Sequence, residues 1–342
     1  MSEAPLGGVL QRLPRPSRGL STMVVACGLL FAASALFASS SVSRGPLLGM
    51  LPFASALAIV ALGQTLVVQQ GGIDLSVAGS VSLAVVISTH QAAGQDDRLL
   101  RALLIALGAL LLAGILNGFL IGILRLNPIV ATLGTNSLLF AAVFWVSGGI
   151  PRSTTRRLSN IVDGITFEIP NAVYFAVAAT IVTTLLMKKT VAGRRFEAVG
   201  ANQTAAITSG LFIERHRVGA YIYAQVFYWI GGVVLAGIVA QPTAFQGEDY
   251  LLASVAAVVL GGTSLLGGRG NLVATALAAL FLSQLDQFVL ALGVTAAIRT
   301  LVEAAALVVG VALYTIDWTW LRHRVFGEPS DNPTALPELS PG

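Results

Sequence analysis

Charge is scarce in this chain: Asp, Glu, Lys and Arg make up 11% of its 342 residues, against about a quarter in soluble proteins. That shortage excludes an ordinary water-soluble domain. Cysteine is limited to Cys27, and histidine to His90, His216 and His323. A lone thiol makes no disulfide scaffold, and the scattered histidines make no metal cluster, which needs about three or four ligands together. Only two lysines occur, Lys188 and Lys189, and neither follows a glycine. The phosphate-cradling loop G-x-x-x-x-G-K-[ST] is therefore missing, so the chain has no such nucleotide site of its own. Aromatics are sparse too, at 7%.

What is present is apolar. Hydrophobic side chains reach 55%, the mean hydropathy is +0.82, and charge-free runs cover 19–43, 45–73, 75–95, 102–124, 126–151, 169–187, 218–247 and 250–268. Each is long enough for a bilayer crossing of about 20 residues. The pattern predicts an all-α polytopic membrane protein with ten spans near 20–42, 47–69, 73–92, 99–124, 128–148, 171–187, 217–240, 250–267, 271–292 and 296–316. The first run follows Arg12, Arg15 and Arg18, as a signal peptide does, but its length favours an uncleaved helix.

Ten spans leave both termini on one side. With the N-terminus inside, thirteen of the twenty basic residues fall on inner segments, and both lysines join Arg194 and Arg195 in the longest inner loop, 188–217. That bias obeys the positive-inside rule. The pI near 9.6 reflects this flanking charge, which forms no continuous stripe for nucleic acid. The expected organisation is an inner tail 1–19, a membrane domain 20–318 with outer loop 149–170 and inner loop 188–217, and an inner tail 319–342.

Small residues such as Ala106, Gly108, Ala113, Gly114 and Gly118 suit close helix packing in lipid. Glycines also interrupt two apolar runs, at Gly71-Gly72-Ile73-Asp74-Leu75-Ser76 and at Gly261-Gly262-Thr263-Ser264-Leu265-Leu266. Paired interruptions in the two halves of a chain point to discontinuous helices around a midplane pathway and to an internal repeat.

Three carboxylates fall in or near spans: Asp74, Asp286 and Glu303. Glu303 lies four residues after Arg299, the spacing of an ion pair on one helix face. Asp74 precedes Ser76 at a helix start, where a carboxylate accepts free backbone N–H groups. Gln64, Gln69, Gln70, Ser76, Asn117, Asn127, Thr132 and Asn136 are neutral groups available either to a weakly polar path or to interhelical hydrogen bonds.

Read in order, Gly71-Gly72-Ile73-Asp74-Leu75-Ser76-Val77, Asn127-Pro128-Ile129-Val130-Ala131-Thr132-Leu133-Gly134-Thr135, Glu197-Ala198-Val199-Gly200-Ala201-Asn202-Gln203-Thr204-Ala205-Ala206 with Gly210, and Gly261-Gly262-Thr263-Ser264-Leu265-Leu266-Gly267-Gly268-Arg269-Gly270 form a series. It resembles the monosaccharide permeases of bacterial ABC importers, of the ribose, xylose and galactose type, over roughly residues 45–315. Two departures stand out: Ala78 where that family usually has Gly, and a strongly charged 212–217.

The resemblance implies the ABC importer permease fold, in the bacterial inner membrane, and a non-enzymatic transport role. It also implies a separate ATPase subunit that binds the ATP, so no cofactor on this chain, an extracytoplasmic sugar-binding protein, and a second permease copy or paralogue. Glu197, Ala198, Gly200, Ala201, Asn202, Ala205, Ala206 and Gly210 match the loop that couples such permeases to their ATPase; a solvated loop that only sets topology is the alternative. Gly71, Gly72, Asp74, Ser76, Asn117, Asn127, Thr132, Asn136, Gly261 and Gly262 become the residues of the pathway or its structural motifs. Arg152, Arg156 and Arg157 lie on the outer loop against the charge trend, as docking groups for the binding protein or as a hydrated cluster balanced by Asp163 and Glu168.

Other classes remain beside it. Intramembrane-protease motifs are missing from the sequence. A proton-coupled secondary transporter would use Asp74, Asp286 or Glu303. Branched-chain amino-acid and nucleoside permeases are the nearest relatives within the ABC class.

Overall fold

A computed structural model describes residues 18–295 and, beyond them, only 297, 298, 301, 302, 304, 305 and 308. The two tails, most of the tenth expected span and the Arg299/Glu303 pair lie outside the described residues. Twelve helices follow one another: α1 Arg18–Phe37, α2 Arg44–Gln69, α3 Val77–Ala92, α4 Leu99–Gly118, α5 Pro128–Ser147, α6 Arg156–Val162, α7 Asn171–Lys189, α8 Val191–Ala201, α9 Gln203–Thr208, α10 Ile213–Ile238, α11 Asp249–Leu260 and α12 Leu272–Ala291. The strands β1 Ile165–Thr166 and β2 Ile169–Pro170 form a small antiparallel hairpin before α7.

Seven of these helices are long and apolar enough to cross a membrane. The protein is an all-α polytopic membrane protein. Two shorter apolar helices, α3 and α11, occupy the places of the third and eighth expected spans. At 16 and 12 residues they measure about 24 Å and about 18 Å, less than a hydrocarbon core of about 30 Å. Both are shorter than expected because a glycine turn replaces helix at 71–76 and at 261–271.

The helix ends follow local chemistry. Asn127 accepts a hydrogen bond from the Ile129 amide (2.9 Å) with Pro128 in the first turn, the arrangement that starts a helix. Thr190, Asn202 and Asn271 cap α8, α9 and α12 in the same way. Loop 188–217 thus holds two short helices, and α10 starts at Ile213, four residues before the expected span.

Helix α2 is the hub, packed by α10, α12, α11 and α7, while α10 also touches α3 and α4. Every residue from Ala54 to Gln70 and from Ser76 to Thr89 is buried. A helix apolar on all sides and enclosed on all sides is a central one. By contrast α1, α4, α5 and α7 expose Val25, Leu104, Leu138 and Val182 along their outer faces, faces that suit lipid. Gly63 of α2 and Gly114 of α4 stand where a Cβ would come within 2.9 Å of α10 backbone atoms, so small residues set these separations.

Candidate functional site

Two features converge at the end of the bundle that carries α8 and α9. The first is a buried polar cluster. Asp74 accepts hydrogen bonds through Oδ1 from the Ser76 amide (2.9 Å) and hydroxyl (2.5 Å). The Ser76 hydroxyl accepts from Asn117 Nδ2 (2.9 Å) and Gln225 Nε2 (3.2 Å), and Thr135 donates to Asn117 Oδ1 (2.6 Å). Asp74, Ser76, Asn117 and Gln225 are fully enclosed. With its amide turned to satisfy its neighbours, Gln64 donates to the Asp74 carbonyl (3.2 Å), accepts from the Asp74 amide (3.3 Å) and donates to the Tyr228 hydroxyl (2.6 Å).

Three helices, α2, α4 and α10, therefore hold one irregular segment, 71–76, and α5 braces its far side. Thr132 accepts from the Leu75 amide (3.0 Å) and Asn136 from the Gly79 amide (2.8 Å). Backbone N–H groups freed by a broken helix must find partners in an apolar interior, and these side chains supply them. Among the described residues no cation pairs with Asp74; its hydrogen bonds reach Oδ1 alone, and the buried Oδ2 has no hydrogen-bond partner there.

The second feature is a junction of three backbones. Helix α2 ends with Gly71 at φ +76°, the Gly71 amide donating to the Val68 carbonyl and the Gly72 amide to Val67. Helix α11 ends the same way, with Gly262 at φ +79° and the amides of Gly262 and Thr263 donating to Val259 and Val258. Both are left-handed glycine caps, preceded by the same Val-Val-x-x-Gly spacing. The two glycine turns lie against each other: the Gly268 amide donates to the Gln69 carbonyl (2.9 Å).

The third backbone is α8. A Cβ on Gly200 would collide with the Gln69 carbonyl oxygen, and one on Gly268 would stand 2.8 Å from the Ala201 Cα. Gln70 Nε2 reaches across to the Phe196 carbonyl (2.8 Å). The two glycine turns meet each other at this end of the bundle, joined through α8.

The remaining sequence-nominated residues separate into local roles. Asn127 and Asn202 cap helices; Glu197 pairs with Lys188 (2.6 Å); Ala198 lies on α8, and Ala205 and Ala206 on α9. Gly210, at φ +76°, ends α9. Asp286 is half-buried on α12, about 21 Å along that helix from its start. Thr135, Gln225 and Tyr228 were missed in the sequence. The signal for Gln225 was available, since an amide inside an apolar span is costly without a partner.

The loop 148–170 lies at the opposite end. Arg152, Arg156 and Arg157 are exposed there, and among the described residues no carboxylate pairs with them. Glu168 pairs with Arg44 instead (3.5 Å). Arg152 reaches the His90 carbonyl (3.5 Å), and the Arg157 backbone amide donates to Asp96 (2.9 Å).

The family described as branched-chain amino acid transport system / permease component matches residues 47–316. The chain is 32% identical to the ribose import permease protein of Bacillus subtilis over 311 residues, 90% of this chain and 93% of that one. It is 34% identical to the galactofuranose transporter permease protein of Escherichia coli, covering 76% of each chain. An autoinducer 2 import system permease protein of an Enterobacter species is 36% identical over 70% of each. No solved structure matches the chain.

Proposed function

Because this chain belongs to the family of permease components of branched-chain amino acid transport systems, a family of membrane transporters and not of enzymes, we propose that it is the membrane subunit of an ABC importer for a monosaccharide. The observation that carries the sugar assignment is the likeness to a ribose permease over nine-tenths of both chains, with a galactofuranose permease beside it. A branched-chain amino acid brings an ammonium and a carboxylate that ask for charged partners. The polar interior here is built mostly from amides and hydroxyls, and its carboxylate, Asp74, bonds to Ser76 within its own turn.

The protein is a multi-pass inner-membrane protein. Both termini are cytoplasmic in this reading, which rests on the excess of basic residues on that side. The end carrying α8 and α9 then faces the cytoplasm and receives the ATPase, which binds ATP because this chain has no phosphate loop. The opposite end, with Arg152, Arg156 and Arg157, receives a sugar-loaded binding protein. Two permease copies, or one and a paralogue, enclose the pathway between them, and ATP binding shifts the pair between outward and inward access.

Asp74 sits in the glycine turn after α2, with one carboxyl oxygen bonded to Ser76, and Asp286 lies far along α12. Their separation favours ATP over proton coupling, which needs a relay of neighbouring groups. The test is uptake of a labelled monosaccharide panel, with leucine included, by cells expressing the chain with the ATPase and binding protein encoded beside it. Saturable uptake of one sugar, lost when the ATPase lysine is replaced, is the expected result. Uptake of leucine alone, or uptake that survives ATPase loss and collapses with the proton gradient, overturns the reading.

A further inference from the structure

A depression of about 520 Å³ lies beside the backbone junction, between α8 and the first three turns of α10, and its chemistry differs from that of the polar core. Arg195, Arg215 and His216 line it together with Phe212, Gly219 and Tyr223, and no carboxylate does. The nearby acidic side chains are engaged elsewhere, Glu197 with Lys188 (2.6 Å) and Glu214 with Arg125 (3.2 Å). Among the described residues neither Arg195 nor Arg215 has a carboxylate partner.

The cationic groups are held ready for an anion. The Arg215 guanidinium lies 4.4 Å from the centre of the Phe212 ring, a stacking that orients it and leaves its N–H edges unspent. His216 Nδ1 sits 2.8 Å from the Phe212 carbonyl. A carbonyl only accepts, so Nδ1 carries the proton and Nε2 stays available to a second partner.

The rest of the groove is apolar and climbs the helix. Residues 212, 216, 219 and 223 follow the spacing of a single face of α10, and Phe212 and Tyr223 are about 60% exposed. From Arg215 to Tyr223 the face rises about 12 Å, out of the charged loop and into the helix that crosses the bilayer. At Gly219 a Cβ would meet only the Tyr223 ring, leaving an open floor.

A charged mouth and an apolar floor along an exposed face of α10 describe a site for an amphiphile. We propose that this groove binds an anionic phospholipid, with its phosphate between Arg195 and Arg215 and an acyl chain laid over Gly219 against Tyr223. Two arginines in a pocket at the membrane surface attract a net negative headgroup. A zwitterionic lipid brings its own ammonium and gains less. The site is independent of the transported solute.

The full-length protein in detergent, titrated with phosphatidylglycerol or phosphatidylethanolamine and read by native mass spectrometry, tests this. Phosphatidylglycerol should be retained about tenfold more strongly, and the double variant R195Q/R215Q should lose that preference. Arg125→Gln, on the other side of α10's start, should leave it intact. Equal retention of the two lipids, or an unaltered preference in R195Q/R215Q, overturns the proposal. So does displacement of the lipid by glycerol 1-phosphate at equal concentration, which would assign the site to a soluble phosphate. Gly219→Phe keeps the charges and fills the floor; it should weaken phosphatidylglycerol retention about tenfold, and full retention there overturns the proposal even if the arginine variant fails to insert.

Discussion

The two ends of this bundle differ in how closely their backbones approach. At the end with α8 and α9, backbone lies on backbone: Gln69 touches Gly200 and Gly268 with no side chain between them. At the other end exposed side chains also join the elements, as in Arg44 with Glu168, each about three-quarters exposed or more, beside a backbone bond from the Thr154 amide to the Ala240 carbonyl (3.2 Å). Close backbone contact transmits displacement because it has no slack, whereas exposed ion pairs contribute about 0–1 kcal/mol and yield easily. The first construction suits a surface that must relay force from an ATPase, the second a surface that meets and releases a soluble partner.

Substitutions can sharpen or break that contrast. The largest effect is expected at Gly200. Gly200→Leu drives a branched side chain into the Gln69 carbonyl and should abolish uptake while membrane insertion persists; uptake alongside ATPase assays of the reconstituted importer checks this, and normal coupled transport would remove the junction from the mechanism. Second is the pair R156E/R157E. It should suppress binding-protein-dependent uptake and make the remainder salt-sensitive, with no change in thermal unfolding of the detergent-solubilised chain.

Third, Gly268→Ala places a Cβ against Ala201 at a φ of +84°. It should destabilise by about 1–3 kcal/mol, read as a lower unfolding midpoint. Fourth, Asn117→Leu leaves the Thr135 hydroxyl and one interaction of Ser76 without a partner, a loss of about 1–3 kcal/mol. Smallest, Arg44→Gln should shift the midpoint by no more than the margin of a surface pair, about 0.5 kcal/mol. A large effect there would show that this end is as tightly built as the one carrying α8 and α9.

Much of the local structure was legible. The apolar runs marked the spans, Asn127-Pro128 marked the start of α5, and the glycine pairs marked the ends of α2 and α11. The resemblance between the halves was also visible, as glycine pairs at related places. Gly71 is the first glycine of its pair and Gly262 the second, and the equivalent positions emerge when Val67-Val68 is set against Val258-Val259. The nominated polar residues divided: Asp74, Ser76 and Asn117 came together, Thr132 and Asn136 brace the same segment, and Asn127 serves only its own helix. Thr135, Gln225 and Tyr228 were overlooked because each is a single polar side chain in an apolar run with no motif around it.

The amino-acid sequence by itself determined that the chain lives in a bilayer, where most of its apolar helices lie, and several of their caps. Each of these depends on neighbours within a turn or two, or on the cost of moving charge through lipid. Tertiary structure alone decided that α2 is the hub, that Asp74 is held by Gln64, Ser76 and their partners, and that two turns almost two hundred residues apart close on Gly200. In water a helix announces its buried face through an apolar stripe. These helices are apolar all round, so that stripe vanishes, and the choice of neighbour passes to small residues, backbone contact and a few buried hydrogen bonds whose partners no local pattern names.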